Sequence, residues 1–275
     1  MHPDQSPPVR ALLRRCVLAT SVVDDLDVDL DDDGVRLPGC AELQWADLAR
    51  AAGDVGADVG EDVARLRVSD VLHAHLALHT GTARVVPLAV PVDADRRPAA
   101  GWTHQRFLGG AMDLGLGVVV PRGRSERVLP LPEASARATG RPGAVSGEDL
   151  DRLERLGDLV VQRLLRDAGT DTAGVLRPVG GCDVPTLLAS HRLREHLVAG
   201  SDRSPGNVLR AVAVPDRTRG WFDLARIDPA YVGAAWMAGD PADRGFRRPV
   251  LVTREEVALV PTSPSLVQDV LAERQ

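Results

Sequence analysis

Six arginines, five aspartates and five of the chain's eight aromatic residues fall within the 33 positions from Asp216 to Arg248. The aromatics are Trp221, Phe222, Tyr231, Trp236 and Phe246. A guanidinium grips a carboxylate or phosphate in a planar fork and also stacks on aromatic faces. Arg217, Arg219, Arg244, Arg247 and Arg248 could therefore hold an anion, with Trp221 as a stacking wall. The structural alternative is a long connection pinned by its aromatics, whose ion pairs satisfy buried polar groups. The chain contains no lysine, so all 33 basic residues are arginine. The arginine count in this segment is therefore weak evidence, and the aromatic clustering carries more weight.

Four other groups have residue types that could do chemistry. Gly180-Gly181-Cys182-Asp183 sits between an expected strand and an expected helix. Glycines there can present backbone N–H groups to an anion, and a cysteine at a helix N-terminus has its thiolate stabilised. Cys182 is thus a candidate nucleophile, although His191 lies more than two helical turns away. The alternative is a tight turn with a small buried cysteine and an aspartate cap. His73, His75 and His79 share one face of a strand, whereas on a helix only His75 and His79 align. They are candidate ligands for a divalent metal, but Leu76 stands where a metalloprotease motif needs glutamate. Asp29, Asp31 and Asp33, followed by Gly34, copy the first half of a calcium loop. The twelfth position is Cys40, where a bidentate glutamate belongs, and an acidic hairpin explains the same letters. Gly109, Gly110, Gly115 and Gly117 match no dinucleotide fingerprint and read as a glycine-rich strand entry.

The missing lysine excludes Schiff-base lysines, a P-loop lysine and the kinase phosphate lysine. No nucleophile elbow or Ser/His/Asp set is present. Residues 1–62 carry 14 acidic groups against 5 arginines, and the remainder is weakly positive, so nucleic acid is not the expected partner. Three unpatterned cysteines, Cys16, Cys40 and Cys182, suit a reducing compartment. No stretch reaches the ~18–20 apolar residues of a membrane span. Arg10, Arg14 and Arg15 precede a short apolar run, Cys16–Val23, that reads better as a first strand than as a signal sequence.

The elements that must position these groups follow from periodicity. Val17 to Leu37 reads as a strand pair turned at Asp33-Gly34. Ala41 to Ala52 reads as a helix ended by Gly53. Asp70 to Val92 reads as a hairpin, with a helix from Ser69 to Thr80 as the alternative. Residues 93–106 form a polar loop. Leu116–Pro121 and Arg127–Leu131 read as strands, and 132–145 as the candidate linker. Ser146 opens the clearest helix, through an acidic variant of the capping box and a stripe from Leu150 to Leu165. Val175–Val179 is a short strand, and Asp183 caps a helix reaching about Ala199. Val208–Val214 is a strand. A helix from Pro229 to Met237 fits within the aromatic segment. Val250–Thr253 and Val257–Val260 pair as a hairpin, and 265–273 forms a short terminal helix.

The fold class expected is α+β, a mixed sheet with packed helices, with α/β as the alternative. A strand-rich acidic part over 1–135 and a helix-helix-strand part over 145–275 are expected, with one continuous domain as the alternative. The expected function is non-catalytic binding of a small anionic ligand or a protein partner through segment 216–248. The alternative is a hydrolase or transferase with Cys182 as nucleophile and arginines gripping an anionic substrate. No cofactor, nucleic acid or membrane partner is expected, the location expected is cytoplasmic, and the oligomeric state is left open.

Overall fold

The computed structural model describes residues 7–53, 60–81, 83–92, 101–122, 125–199, 209–223, 227–240 and 243–259. Every strand pairing in it is antiparallel, in three sheets accompanied by eight helices. This is the α+β arrangement, and the α/β alternative falls away because no parallel crossover exists among the described residues.

The chain opens with α1 (Pro7–Val23) rather than a strand. Leu13, Cys16, Val17 and Thr20 are all buried, at helical spacing, and that stripe packs on the later helix α3. A small meander follows: β1 (Asp29–Leu30), β2 (Gly34–Arg36) and β3 (Leu43–Gln44). The expected turn at Asp33-Gly34 is present. Next come α2 (Trp45–Ala52), ended by Gly53 at φ 79°, and α3 (Glu61–His79). The preferred hairpin over 70–92 is thus half wrong, and its first arm is a 19-residue helix. The reason is that α3 is buried on two sides. Ala64, Val68, Val71 and Leu72 join the core of α1 and α2, while Ala74, Ala77 and Leu78 pack on a sheet. With two faces covered, a single apolar stripe is not visible in the sequence.

That sheet is built around β6 (Met112–Arg122), which pairs along one side with β4 (Arg84–Pro91). Along its other side it pairs first with β5 (His104–Phe107) and then with β7 (Ser125–Pro130). Gly115 and Gly117 are in β6 because there is no room for side chains. A Cβ at Gly115 would lie 2.5 Å from the Trp102 ring, and one at Gly117 would lie 2.5 Å from Val128. The 132–145 stretch contains α4 (Glu133–Ala138), which packs on α2 and α3.

The second half begins with α5 (Gly147–Arg166), whose capping box between Ser146 and Asp149 is formed as expected. β8 (Val175–Leu176) follows. The single helix expected from Asp183 to Ala199 is two, α6 (Val184–Leu187) and α7 (His191–Ala199). The break is built. Ser190 caps α7 by accepting from Leu193 N, and Glu154 of α5 accepts from His191 N at 2.8 Å and Arg192 N at 3.0 Å. The last sheet has the order β12-β11-β9-β10-β8. Its remaining members are β9 (Arg210–Asp216), β10 (Arg219–Trp221), β11 (Val250–Val252) and β12 (Val257–Leu259). Between β10 and β11 lies α8 (Pro229–Ala238), close to the expected helix. The terminal helix expected over 265–273 lies outside the described residues.

β4 is an edge strand, and its free edge joins the two halves. Pro87 and Pro91 lack the N–H that an inner strand must donate. Side chains from the second half take up the open groups. Arg152 donates to Val85 O (3.1 Å), Thr186 Oγ1 accepts from Ala89 N (2.8 Å), and Arg217 donates to Ala89 O (2.9 Å). Below them one apolar cluster runs from Val86, Ala89, Met112 and Leu114 through α5 and α7 to Val212, Val214, Phe246 and Val250.

Candidate functional site

Two of the expected groups converge. A cavity of about 360 Å³ is lined by Glu126, Arg127 and Val128 of β7, by residues 178–183, by Arg217 and Thr218, and by Asp243. Cys182 and Arg217 therefore meet in one cleft.

The arginines of this cleft already have carboxylate partners. Arg217 Nε donates to Asp183 Oδ2 at 2.7 Å, its Nη2 is ion-paired to the same oxygen, and its Nη2 also reaches Ala89 O. The Arg217 and Asp183 side chains are only 14% and 10% exposed. Asp183 also caps α6, accepting from Thr186 N (3.0 Å) and Thr186 Oγ1 (2.6 Å). Arg127 pairs with Asp70 (3.0 Å) and approaches Asp243 (4.0 Å), and Glu126 holds Arg84. Three carboxylates thus face two guanidiniums across the cavity, an arrangement that does not favour an added anion.

Gly180 and Gly181 stand at φ 62° and 86°, and Cys182 N donates to Val179 O at 3.0 Å. Two consecutive positive φ values match a type I′ turn, which explains why both residues are glycine. Cys182 is 1% exposed. Burial, reinforced by the neighbouring Asp183 carboxylate, pushes its thiol up to about 12 against a partial opposing pull from Arg152. Its Sγ faces Pro87 O at 3.7 Å. Burial and the raised pKa both disfavour Cys182 as a nucleophile at neutral pH.

The other arginines of the 216–248 segment sort by location. Arg244 lies over the Trp236 ring (4.2 Å) and donates to Gly239 O and Met237 O, closing the end of α8. Arg247 lies over the same ring at 5.4 Å, and Arg219 lies over Trp221 at 5.1 Å. Trp221 in turn meets Tyr231 of α8 edge-on, with ring centroids 6.1 Å apart. Arg219 and Arg247 are exposed, Arg248 is half-buried, and none of the three has a carboxylate partner among the described residues.

α8 is the least expected element of this region. It has no charged residue, and only Val232 and Trp236 are buried. Ala230, Tyr231, Ala234, Met237 and Ala238 are all exposed, at helical spacing, with Tyr231 at 54% and Met237 at 63%. The outer face of this helix is as apolar as its inner face. A helix that is apolar all round is normally buried, and large exposed apolar patches mark interaction surfaces. The sequence places the helix correctly but contains no signal for which face is exposed.

The histidines separate. His73 pairs with Asp24, in the turn that follows α1, at 3.1 Å. His75 and His79 lie one turn apart on α3, with rings 4.2 Å apart, and Cys40 joins them in place of His73. His75 is 1% exposed, and burial lowers its pKa against a partial opposing pull from the Ala41 carbonyl. Asp29, Asp31 and Asp33 are not among the groups of described residues whose ligand atoms converge. Asp31 Oδ1 accepts from Asp33 N and Gly34 N, each at 2.8 Å, and Arg36 holds its other oxygen at 2.8 Å. The Gly34 and Asp33 amides hold the Asp31 carboxyl below its usual range. Asp29 and Asp33 are exposed on β1 and on the turn after it.

No helix among the described residues is long and apolar enough to cross a membrane. Compared with protein-family models, with curated proteins and with solved structures, the chain matches none.

Proposed function

We propose that this protein is a non-catalytic binding module whose partner is a protein segment docked on α8. The observation that carries the reading is the exposed apolar face of α8, together with Arg219 and Arg247, which have no acidic partner among the described residues. Arg219 is steadied over Trp221 beside Tyr231, and Arg247 over Trp236 one helical turn further on. The matching ligand is an amphipathic helix with an apolar face and flanking Asp or Glu. The small residues Ala230, Ala234 and Ala238 would let its backbone come close, with Tyr231 and Met237 as anchors. A small anion is less well supported, because Arg217 and Arg127 are held by carboxylates. The hydrolase or transferase alternative is weakened by the buried, high-pKa Cys182.

A peptide display selection against the full chain tests this. The peptides recovered are expected to be helical and acidic-apolar, to bind more weakly as salt rises, and to lose binding to a Tyr231→Ser/Met237→Ser variant. Both positions are exposed, so that variant keeps its fold. Recovery only of peptides that bind the variant equally well overturns the assignment.

A further inference from the structure

We propose that Cys40, His75 and His79 form a binding site for a Zn²⁺ ion, on the opposite side of the sequence from α8 and independent of it. One donor atom from each of the three residues lies within 4.8 Å of the other two. Two imidazoles and a thiolate, with no hard oxygen ligand, are the donor set that Zn²⁺ favours.

The hydrogen bonds around His79 leave one of its nitrogens open to a metal, and those around His75 can rearrange to free one. His79 Nδ1 lies 2.9 Å from His75 O, a group that can only accept, so Nδ1 carries the proton. His79 Nε2 is left as a lone pair, buried and without a hydrogen-bond partner among the described residues. Such a group is uncommon in a folded protein unless something completes it. His75 is held at both nitrogens. Nε2 lies 2.8 Å from Ala41 O and therefore bears the proton, while Nδ1 accepts from the Ser135 hydroxyl at 2.8 Å. Metal binding shifts that proton from Nε2 to Nδ1, where Ser135 Oγ becomes the acceptor. This is the outer-shell contact that commonly orients a ligating histidine. Ala41 is exposed, so its carbonyl takes a water in exchange. Cys40 loses its thiol proton to solvent as the sulfur–zinc bond forms, and no oxidant or reductant is involved.

Tetrahedral zinc with Zn–N of about 2.0 Å and Zn–S of about 2.3 Å needs donors roughly 3.3–3.7 Å apart. The cluster must therefore close by at most about 1 Å. Cys40 can supply that movement, because it lies in the surface turn Leu37–Cys40 between β2 and β3 and makes only a weak 3.7 Å contact to Pro38 O. The three residues leave a fourth position for water.

The test uses the full chain, purified without a polyhistidine tag, stripped with a chelator and titrated with ZnCl₂ or CoCl₂. One ion per chain is expected, with a thiolate-to-cobalt charge-transfer band in the Co²⁺ form. Zn²⁺ should also slow alkylation of Cys40, the one cysteine of the three that is not buried. Cys40→Ser and His79→Gln should each abolish stoichiometric binding. Ser135→Ala should weaken it about 10–100-fold, and His73→Gln should leave it unchanged. The proposal is overturned by absence of stoichiometric binding, by binding without the charge-transfer band, by unchanged affinity in Cys40→Ser, or by loss of binding in His73→Gln.

Discussion

Arg217 looks like a ligand-binding arginine in the sequence, but the structure gives it the geometry of a brace, and one substitution separates the two roles. Arg217→Met keeps the aliphatic stem while removing the guanidinium from Asp183 and from Ala89 O on the β4 edge. The two side chains are 14% and 10% exposed, so the carboxylate left behind is largely cut off from water. Removing one partner of a buried pair costs about 3–5 kcal/mol. Asp183 keeps its two contacts to Thr186, at 3.0 and 2.6 Å, so the lower end, about 3 kcal/mol, applies. At roughly 2–4 °C per kcal/mol for a chain of this size, Tm should fall by about 6–12 °C. Arg219→Met removes only a cation–π contact at an exposed site, about 0.5–1 kcal/mol, so its Tm should fall by a few degrees at most. Thermal unfolding followed by circular dichroism reads both. The double variant Arg217→Met/Asp183→Asn should recover about 1–3 kcal/mol relative to the sum of the single changes, because the pair is one interaction. A Tm for Arg217→Met within about 2 °C of the unsubstituted protein would refute the brace and return Arg217 to the list of anion ligands.

Three more outcomes follow from the packing. Burial is the largest single influence on Glu154 and raises its pKa, but the Arg192 and His191 amides, the Ser190 hydroxyl and Arg194 together leave it below the ordinary value. A depressed carboxylate stabilises the fold above its unfolded pKa and loses that contribution as pH falls through the folded one. Tm should therefore drop on acidification below the usual glutamate range, and Glu154→Gln should flatten that limb while lowering Tm at neutral pH. Gly157→Ala should destabilise by about 1–3 kcal/mol in urea unfolding, because its Cβ would sit 2.1 Å from Ser190 Oγ; an unchanged midpoint would show that α5 and α7 can separate freely. With its thiol pushed up to about 12, Cys182 should react with iodoacetamide at neutral pH only after denaturation, and rapid labelling of the native protein would restore it as a candidate nucleophile.

Those parts of the fold whose evidence is local were legible in the sequence. The capping box at Ser146, the Asp33-Gly34 turn, Gly53 at the end of α2, α8 and the final hairpin all appear where spacing and turn chemistry place them. The misread elements depend on what covers them. In α1 the buried set Leu13, Cys16, Val17 and Thr20 has helical spacing, but the apolar run Cys16–Val23 is equally compatible with a strand. In α3 the run from Leu72 to His79 alternates by accident, because the helix is covered by other helices on one side and by a sheet on the other. The glycines of β6 lack side chains because Trp102 and Val128 occupy the space, and no local pattern carries that information. Site residues follow the same rule. The sequence groups His73 with His75 and His79, whereas the fold exchanges His73 for Cys40, 35 positions from His75 in the chain.

The meaning of a residue type in this chain is decided by exposure, and segment 216–248 shows it for both charge and hydrophobicity. Arginine at a surface is a natural recognition group, yet Arg217 is enclosed and matched to a carboxylate, the geometry of a brace. An apolar helix is naturally core, yet α8 carries Tyr231 and Met237 largely in the open. A strand edge is naturally a pairing site, yet β4 is closed by side chains from the second half, so β-augmentation is not available there. Among the described surfaces of this segment, α8 is where apolar anchors and unmatched cations occur together. Burial of its outer face by a partner would remove the anomaly of an uncharged helix facing water. An acidic-rimmed partner would also answer Arg219 and Arg247, whereas a second copy of the chain docked face to face would bring those arginines against their own kind.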